Sequence, residues 1–171
     1  LKKNGENVSL KRVQRRMTVL GIKSVVVKKY KPLRVEKNIK EKENILNQDF
    51  TTTSINQKWS ADITYIHTEK DGWTYLASVE DLYSRKIIGW AFGKTMDAEL
   101  AKKALKNASL NIKKTKGIIL QTDLGSQYTS NIYEEYLAEL KIRHSYSRKG
   151  CPYDNSCIES FHSILKKEEV N

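Results

Sequence analysis

Leu10, Val13, Met17 and Leu20 recur at helical spacing behind Ser9, and Lys11, Arg12, Arg15 and Arg16 fall largely on the other faces. The pattern predicts one short amphipathic basic helix over 8–20, with Ser9 as its cap and Gly21 as its stop. Val25-Val26-Val27 then favours extended chain. A helix, a tight turn and a basic tail suggest a partial helix-turn-helix segment over 1–32, and a solvated surface helix is the plainer alternative. Residues 33–57 are polar, charged and poorly periodic, which reads as a linker. From Trp59 onward the pattern changes, and 58–171 reads as a second, larger domain.

Three extended segments are expected at 59–67, 73–81 and 86–92, the first two joined across Glu69-Lys70-Asp71-Gly72, where Asp-Gly is a strong hairpin signal. Leu100, Ala101, Ala104, Leu105 and Ala108 follow Asp97 at helical spacing and predict a capped helix over 97–110. A short apolar strand at 117–122, a helix over 129–140, a strand at 141–146, a Gly- and Pro-containing loop over 147–154 and a final helix complete the chain. The order βββαβαβα is an α/β, ribonuclease-H-like arrangement: a mixed sheet with helices on both faces.

A chain of 171 residues with 39% hydrophobic content holds one ordinary domain and a smaller appendage. No apolar run approaches membrane-spanning length, and no segment near the start reads as a signal peptide. Cys151 and Cys157 lack two further ligands at zinc spacing, so they are not read as a metal site, and a reduced, cytoplasmic protein is the simplest reading. The net charge of +11 is uneven: residues 1–58 hold 15 Lys/Arg against 5 Asp/Glu, and residues 59–171 hold 16 against 15. Basicity concentrated in the front third suits binding to a polyanion, because cations on a DNA backbone gain from counterion release.

Three acids carry the candidate chemistry. Asp62 lies within a run rich in β-branched and aromatic residues, Trp59-Ser60-Ala61-Asp62-Ile63-Thr64-Tyr65-Ile66-His67. Asp123 follows the apolar strand, and Glu159 lies on the final helix, with 35 residues between it and Asp123. Brought together, three carboxylates repel one another unless divalent cations neutralise them, so the set suggests a two-metal nucleic-acid enzyme. Taken singly, each acid also has a plain reading as a strand-edge charge, a turn residue or a solvated helix residue. Asp81, before Ser84-Arg85, reads as a turn cap, and Asp154 or Asn155 as the cap of the last helix. His162 is read as a packed or solvated residue outside the metal set, and Trp59, Tyr146 and Tyr153 as packing residues.

Residues 57–168 resemble the catalytic core of insertion-sequence transposases of the retroviral-integrase type, the DDE enzymes. The resemblance rests on Trp59-Ser60-Ala61-Asp62-Ile63-Thr64-Tyr65-Ile66, Asp81-Leu82-Tyr83-Ser84-Arg85-Lys86-Ile87-Ile88-Gly89-Trp90, Thr122-Asp123-Leu124-Gly125-Ser126-Gln127-Tyr128-Thr129-Ser130 and Tyr153-Asp154-Asn155-Ser156-Cys157-Ile158-Glu159-Ser160-Phe161, in that order. Gln121-Thr122, Leu124 and Ala61 depart from the family's usual residues and leave every carboxylate in place. The resemblance implies that Asp62, Asp123 and Glu159 hold two Mg²⁺ ions about 3.5–4 Å apart, with Mn²⁺ able to substitute. It implies cleavage and strand transfer at the ends of a mobile element, on double-stranded DNA with terminal inverted repeats, by a homo-oligomer on paired ends. Lys166, seven positions after Glu159 and on nearly the same helix face, is expected to contact DNA, as are Ser126 and Gln127 on a mobile loop and Lys11, Arg12, Arg15 and Arg16 on the basic helix. Family members usually begin further upstream and continue beyond the final helix, so the chain is expected to be a truncated copy or fragment. Two other readings stay open: an inactive remnant that only binds DNA, and a ribonuclease-H-like nuclease that cuts without joining.

Overall fold

The computed structural model describes residues 8–22, 42–110 and 112–170, and the chain divides into two compact units, Leu1–Lys37 and Asn38–Asn171. In the first unit, α1 spans Leu10–Val19 and is capped by Ser9, whose side chain accepts from the Arg12 amide. Gly21 follows at φ +66, the left-handed backbone that lets the chain leave a helix without a Cβ clash. Leu10, Val19 and Leu20 are exposed and no residue of α1 is buried. The extended stretch at Val25–Val27 lies outside the described residues, and so does most of the segment expected to complete a helix-turn-helix.

The second unit is built on a five-stranded sheet in the order β3-β2-β1-β4-β5. β1 (Lys58–Thr68), β2 (Gly72–Asp81) and β3 (Ile87–Gly93) form an antiparallel meander, whereas β4 (Ile119–Thr122) and β5 (Arg143–Tyr146) run parallel to β1. The hairpin between β1 and β2 turns where expected, with Gly72 at φ +70. Asp81 closes the next turn as read, accepting from the Ser84 amide and hydroxyl at 2.9 and 2.7 Å, and its second oxygen accepts from the Asn56 amide.

Alternation along the strands separates two faces. Trp59, Ala61, Ala77, Val79 and Ala91 face the core under α2 (Ala98–Ser109), whose buried stripe is Leu100, Ala101, Ala104, Leu105 and Ala108. Gly89 lets that helix lie directly on β3: a methyl group there would overlap the Ala104 carbonyl and the Ala108 amide. α3 (Asn131–Leu140) buries Tyr133 and Leu137 in the same core. On the opposite face α4 (Ser156–Leu165) buries Ile158 and His162 against β1 and β2, and the chain continues into a wider π-type turn at Lys166–Val170.

Two sequence readings change here. Residues 42–57, expected as linker, are fastened to the sheet at their start: Leu46 is buried, its amide donates to Ser145 Oγ at 2.9 Å, and the Glu43 carbonyl accepts from the Tyr146 amide. The reason is that β5 is an edge strand whose backbone groups need partners, and this segment supplies them. Neither Asp154 nor Asn155 caps α4 through its side chain. Asp154 is fully buried and accepts instead from Asn44, Gln48 and the Arg148 amide and guanidinium, while Asn155 accepts from Ser60. Of the three aromatics read as packing residues, Trp59 and Tyr146 are buried, but Tyr153 is exposed because it sits on the outside of the short 3-10 turn Pro152–Asn155.

Candidate active site

Ser60 on β1 pairs with Gln121 on β4; two residues further on, Asp62 lies within β1 and Asp123 just past the end of β4. The two aspartates thus follow the same end of the β1–β4 pairing, and the charge of Asp62 is felt at Asp123. Glu159 lies in the first turn of α4, on the sheet face to which Asp62 points.

The three groups act on one another. Burial raises the Asp123 carboxyl above its ordinary value, the amide of Gly125, 2.9 Å from Oδ1, opposes this, and the charge of Asp62 adds to the rise. Glu159 is also raised, by partial withdrawal from water first and by the charge of Asp62 next, with His162 opposing and Asp123 adding. Among the described residues no three His, Cys, Asp or Glu side chains are grouped as a ready set of metal ligands. The three carboxylates feel one another's charge without being gathered into such a set.

His162, read from the sequence as a packed or solvated residue outside the metal set, is packed and belongs to this neighbourhood. Its Nδ1 lies 3.5 Å from Asp62 Oδ2, and its Nε2 lies 3.2 Å from the hydroxyl of Ser78, the residue directly opposite Asp62 on β2. The one available signal was its position three residues after Glu159, which brings a helix residue onto the same side. Behind it, Glu80 is buried, and burial raises its carboxyl while Arg85, 3.5 Å away, pulls it down.

The segment after Asp123 is a bonded turn: the Tyr128 and Thr129 amides both donate to the Gly125 carbonyl, and Tyr128 is buried edge-on against Tyr133. Ser126 is exposed at its tip, and Gln127 Nε2 donates to the Met96 carbonyl at 3.3 Å. Lys166 stands at the end of α4 with its ammonium 3.9 Å from the ring centroid of Tyr65. Lys11, Arg12, Arg15 and Arg16 are exposed on α1, in the other unit. Cys151 and Cys157 are both free thiols. No described helix is long and apolar enough to cross a membrane.

With this geometry in place, the chain can be compared with known proteins. Residues 52–152 match the family described as integrase core domain, a span that contains Asp62 and Asp123 and stops short of Glu159. The transposase InsF for insertion sequence IS3A of Escherichia coli K12 is 40% identical over 172 aligned residues, which take in all of this chain and 59% of that protein. The transposase for insertion sequence element IS904 of Lactococcus lactis is 38% identical, over all of this chain and 68% of its own length. The chain thus spans about three fifths of the first of these relatives. Among solved structures, the catalytic core domain of HTLV-2 integrase in complex with magnesium superposes with a TM-score of 0.54 at 20% identity, covering 66% of this chain and 68% of that one. A chain of the simian T-cell lymphotropic virus intasome gives 0.59 at 24% identity, covering 66% and 39%. At such identities the likeness establishes the fold, a mixed sheet of the integrase-core type.

Proposed function

The chain belongs to the integrase core domain family and to the insertion-sequence transposases within it, and from that premise we propose that it cleaves DNA at the ends of a mobile element and joins those ends to a target. The observation that supports the reading is that Asp62 and Asp123 both follow the paired stretch of the parallel strands β1 and β4, with the charge of Asp62 acting on Asp123 and on Glu159 in the first turn of α4.

Divalent cations fit this donor set. All three groups are carboxylates, the charge of Asp62 raises both of the others, and a hard, oxygen-preferring ion relieves that repulsion. Asp62, Asp123 and Glu159 would hold two Mg²⁺ or Mn²⁺ ions, which supply Lewis-acid charge at the scissile phosphate and a more nucleophilic oxygen.

The protein's own groups supply position. Gly125 holds Asp123 through its amide, and His162 holds Asp62 from α4. Lys166 offers its ammonium to a phosphate beside the carboxylates, Ser126 and Gln127 offer polar groups from the turn, and Lys11, Arg12, Arg15 and Arg16 grip the duplex backbone elsewhere. In each step an oxygen nucleophile, from water in cleavage and from a freed 3′-hydroxyl in joining, forms a bond to phosphorus as the opposed P–O bond breaks. One set of carboxylates thus serves both reactions.

The partner is double-stranded DNA with terminal inverted repeats, bound by a homo-oligomer on paired ends in the bacterial cytoplasm. Labelled element ends incubated with the protein, Mg²⁺ and a plasmid target test the reading. Cleaved and joined products support it, cleavage alone indicates a nuclease, and binding without either indicates a DNA-binding remnant.

A further inference from the structure

β5 and α3 bring a second histidine to the back of the candidate site. His144 stands level with the core residue Leu120 in the β4–β5 pairing, and its side chain is only 6% exposed. Tyr146 lies against the ring with centroids 3.9 Å apart, and Tyr133 of α3 stands 5.8 Å away. Each ring nitrogen faces a polar group. Nδ1 lies 3.3 Å from the carboxylate of Glu134, in the first turn of α3, and Nε2 lies 2.9 Å from the hydroxyl of Thr122, the last residue of β4. That hydroxyl donates in turn to the backbone carbonyl of Asp123 at 2.9 Å. A row of three side chains from α3, β5 and β4 therefore ends on the backbone of one candidate cation ligand.

The protons along this row can be placed. A carboxylate only accepts, so the Glu134 contact draws a hydrogen onto Nδ1. Burial, the largest influence on the ring, makes a second proton harder to add; Glu134 opposes this, and Lys42, 3.8 Å from Glu134, adds to it. Neutral His144 thus presents a bare Nε2 to Thr122. The Thr122 hydroxyl has one hydrogen and two acceptors at 2.9 Å, the ring nitrogen and the Asp123 carbonyl, and shares it between them. Turning that side chain away would forfeit both contacts at a residue with no exposure to water. A proton added at Nε2 would reverse the ring contact and leave the hydroxyl's hydrogen on the carbonyl, so the link holds in either charge state. Thr122 is also fastened through its own carbonyl, which accepts from the Ser147 amide at 2.8 Å. Asp123 is the first residue past this hold, and its carboxylate is met from the other side by the Gly125 amide.

We propose that His144, oriented by Glu134 and acting through Thr122, is a positioning residue for Asp123: it fixes where the Asp123 backbone leaves β4, and so where its carboxylate meets a divalent cation. The proposal rests on the reading of Asp123 as a cation ligand and extends it to a buried row of groups that itself holds no cation. A packing role is the competing explanation, because two tyrosine rings already flank the imidazole. The chemistry of the row argues against it. An apolar ring would pack between the tyrosines as well, whereas a histidine there needs partners for two nitrogens and finds both.

The test reads cation binding without turnover. Mn²⁺ binding to the full chain without DNA is followed by water-proton relaxation, with near-UV circular dichroism reporting the folded fraction. Thr122→Val keeps the shape and removes the hydroxyl, and it should weaken Mn²⁺ binding about tenfold, the lower end of the scale for groups that orient metal ligands. Thr122→Ser keeps the hydroxyl and should recover most of that loss, although it fills the core less well. His144→Phe keeps a ring between the tyrosines and should match Thr122→Val, and the double variant should lose little more than either, because members of one hydrogen-bonded row are not additive. Should His144→Phe fail to fold, the comparison of Thr122→Val with Thr122→Ser decides alone. Unchanged Mn²⁺ binding in Thr122→Val, an equal loss in Thr122→Ser, or losses that multiply in the double variant would overturn the proposal. Asp123→Asn in the same assay separates the two levels. Loss in Asp123→Asn without loss in Thr122→Val overturns the positioning role alone, whereas no loss in Asp123→Asn removes Asp123 as a ligand and the proposal with it.

Discussion

His162 on α4 reaches across to Asp62 on β1, nitrogen to carboxylate oxygen at 3.5 Å, while its other nitrogen meets Ser78 at 3.2 Å. The helix that carries Glu159 is thereby fastened to the strand that carries Asp62. His162→Phe keeps the buried volume and removes both contacts. Cleavage should fall about 10- to 100-fold, the usual scale for groups that orient metal ligands, and the Mg²⁺ concentration for half-maximal cleavage should rise. His162→Gln, which can still donate to Asp62, should recover part of the loss. An unchanged Mg²⁺ requirement in the Phe variant would reduce His162 to a packing residue.

Asp154 provides a pH-dependent restraint. Its carboxyl is held down to about 2, first by the Arg148 guanidinium and then by the Arg148 amide and Gln48, against burial. A depressed acid stabilises the fold above its unfolded value of about 3.9, and that contribution drains away as pH falls toward about 2. Two units correspond to about 2–3 kcal/mol. Urea denaturation at pH 7 and at pH 3 should show a larger drop for the unmodified chain than for Asp154→Asn, which has little of this linkage left to lose.

Gly89 sets the spacing of α2 on β3. Gly89→Ala places a methyl against the helix backbone, where neither side can yield cheaply, and should cost about 1–3 kcal/mol in chemical denaturation. A neutral substitution would mean that α2 can lift from the sheet.

Much of this was legible in the sequence because local signals and packing agree. Alternation gave the three meander strands, Asp97 and the five apolar positions behind it gave α2, and the Gly72 turn was marked by Asp-Gly. Where the reading failed, partners were distant in sequence. Asp154 looked like a helix cap because its partners include Asn44 and Gln48, more than a hundred positions away. Residues 42–57 looked like linker because their ordering comes from the edge of β5 and a single buried Leu46. The spacing of His162 from Glu159 put it on the same side of the helix, but its contact with Asp62 exists only once α4 lies on the sheet. That Asp62 and Asp123 act on one another depends on the parallel pairing of β1 with β4, which no short-range pattern encodes.

The exposed cations of α1 make a separable contribution to DNA binding. Replacing Lys11, Arg12, Arg15 and Arg16 with alanine should weaken binding and flatten the slope of log affinity against log salt, by about 0.9 for each phosphate no longer neutralised. An unchanged slope would place the phosphate-binding cations in the sheet unit.

The central claim is that Asp62, Asp123 and Glu159 hold the cations for phosphodiester chemistry, and Asp123→Asn tests it most directly. Asparagine keeps the size and a side-chain acceptor for the Gly125 amide but removes the charge. Measured on labelled element ends in Mg²⁺, with DNA binding scored alongside, the variant should bind as well as the unmodified chain or more tightly and should give no cleavage. Cleavage in Mg²⁺ by Asp123→Asn at a rate near that of the unmodified chain would contradict the assignment.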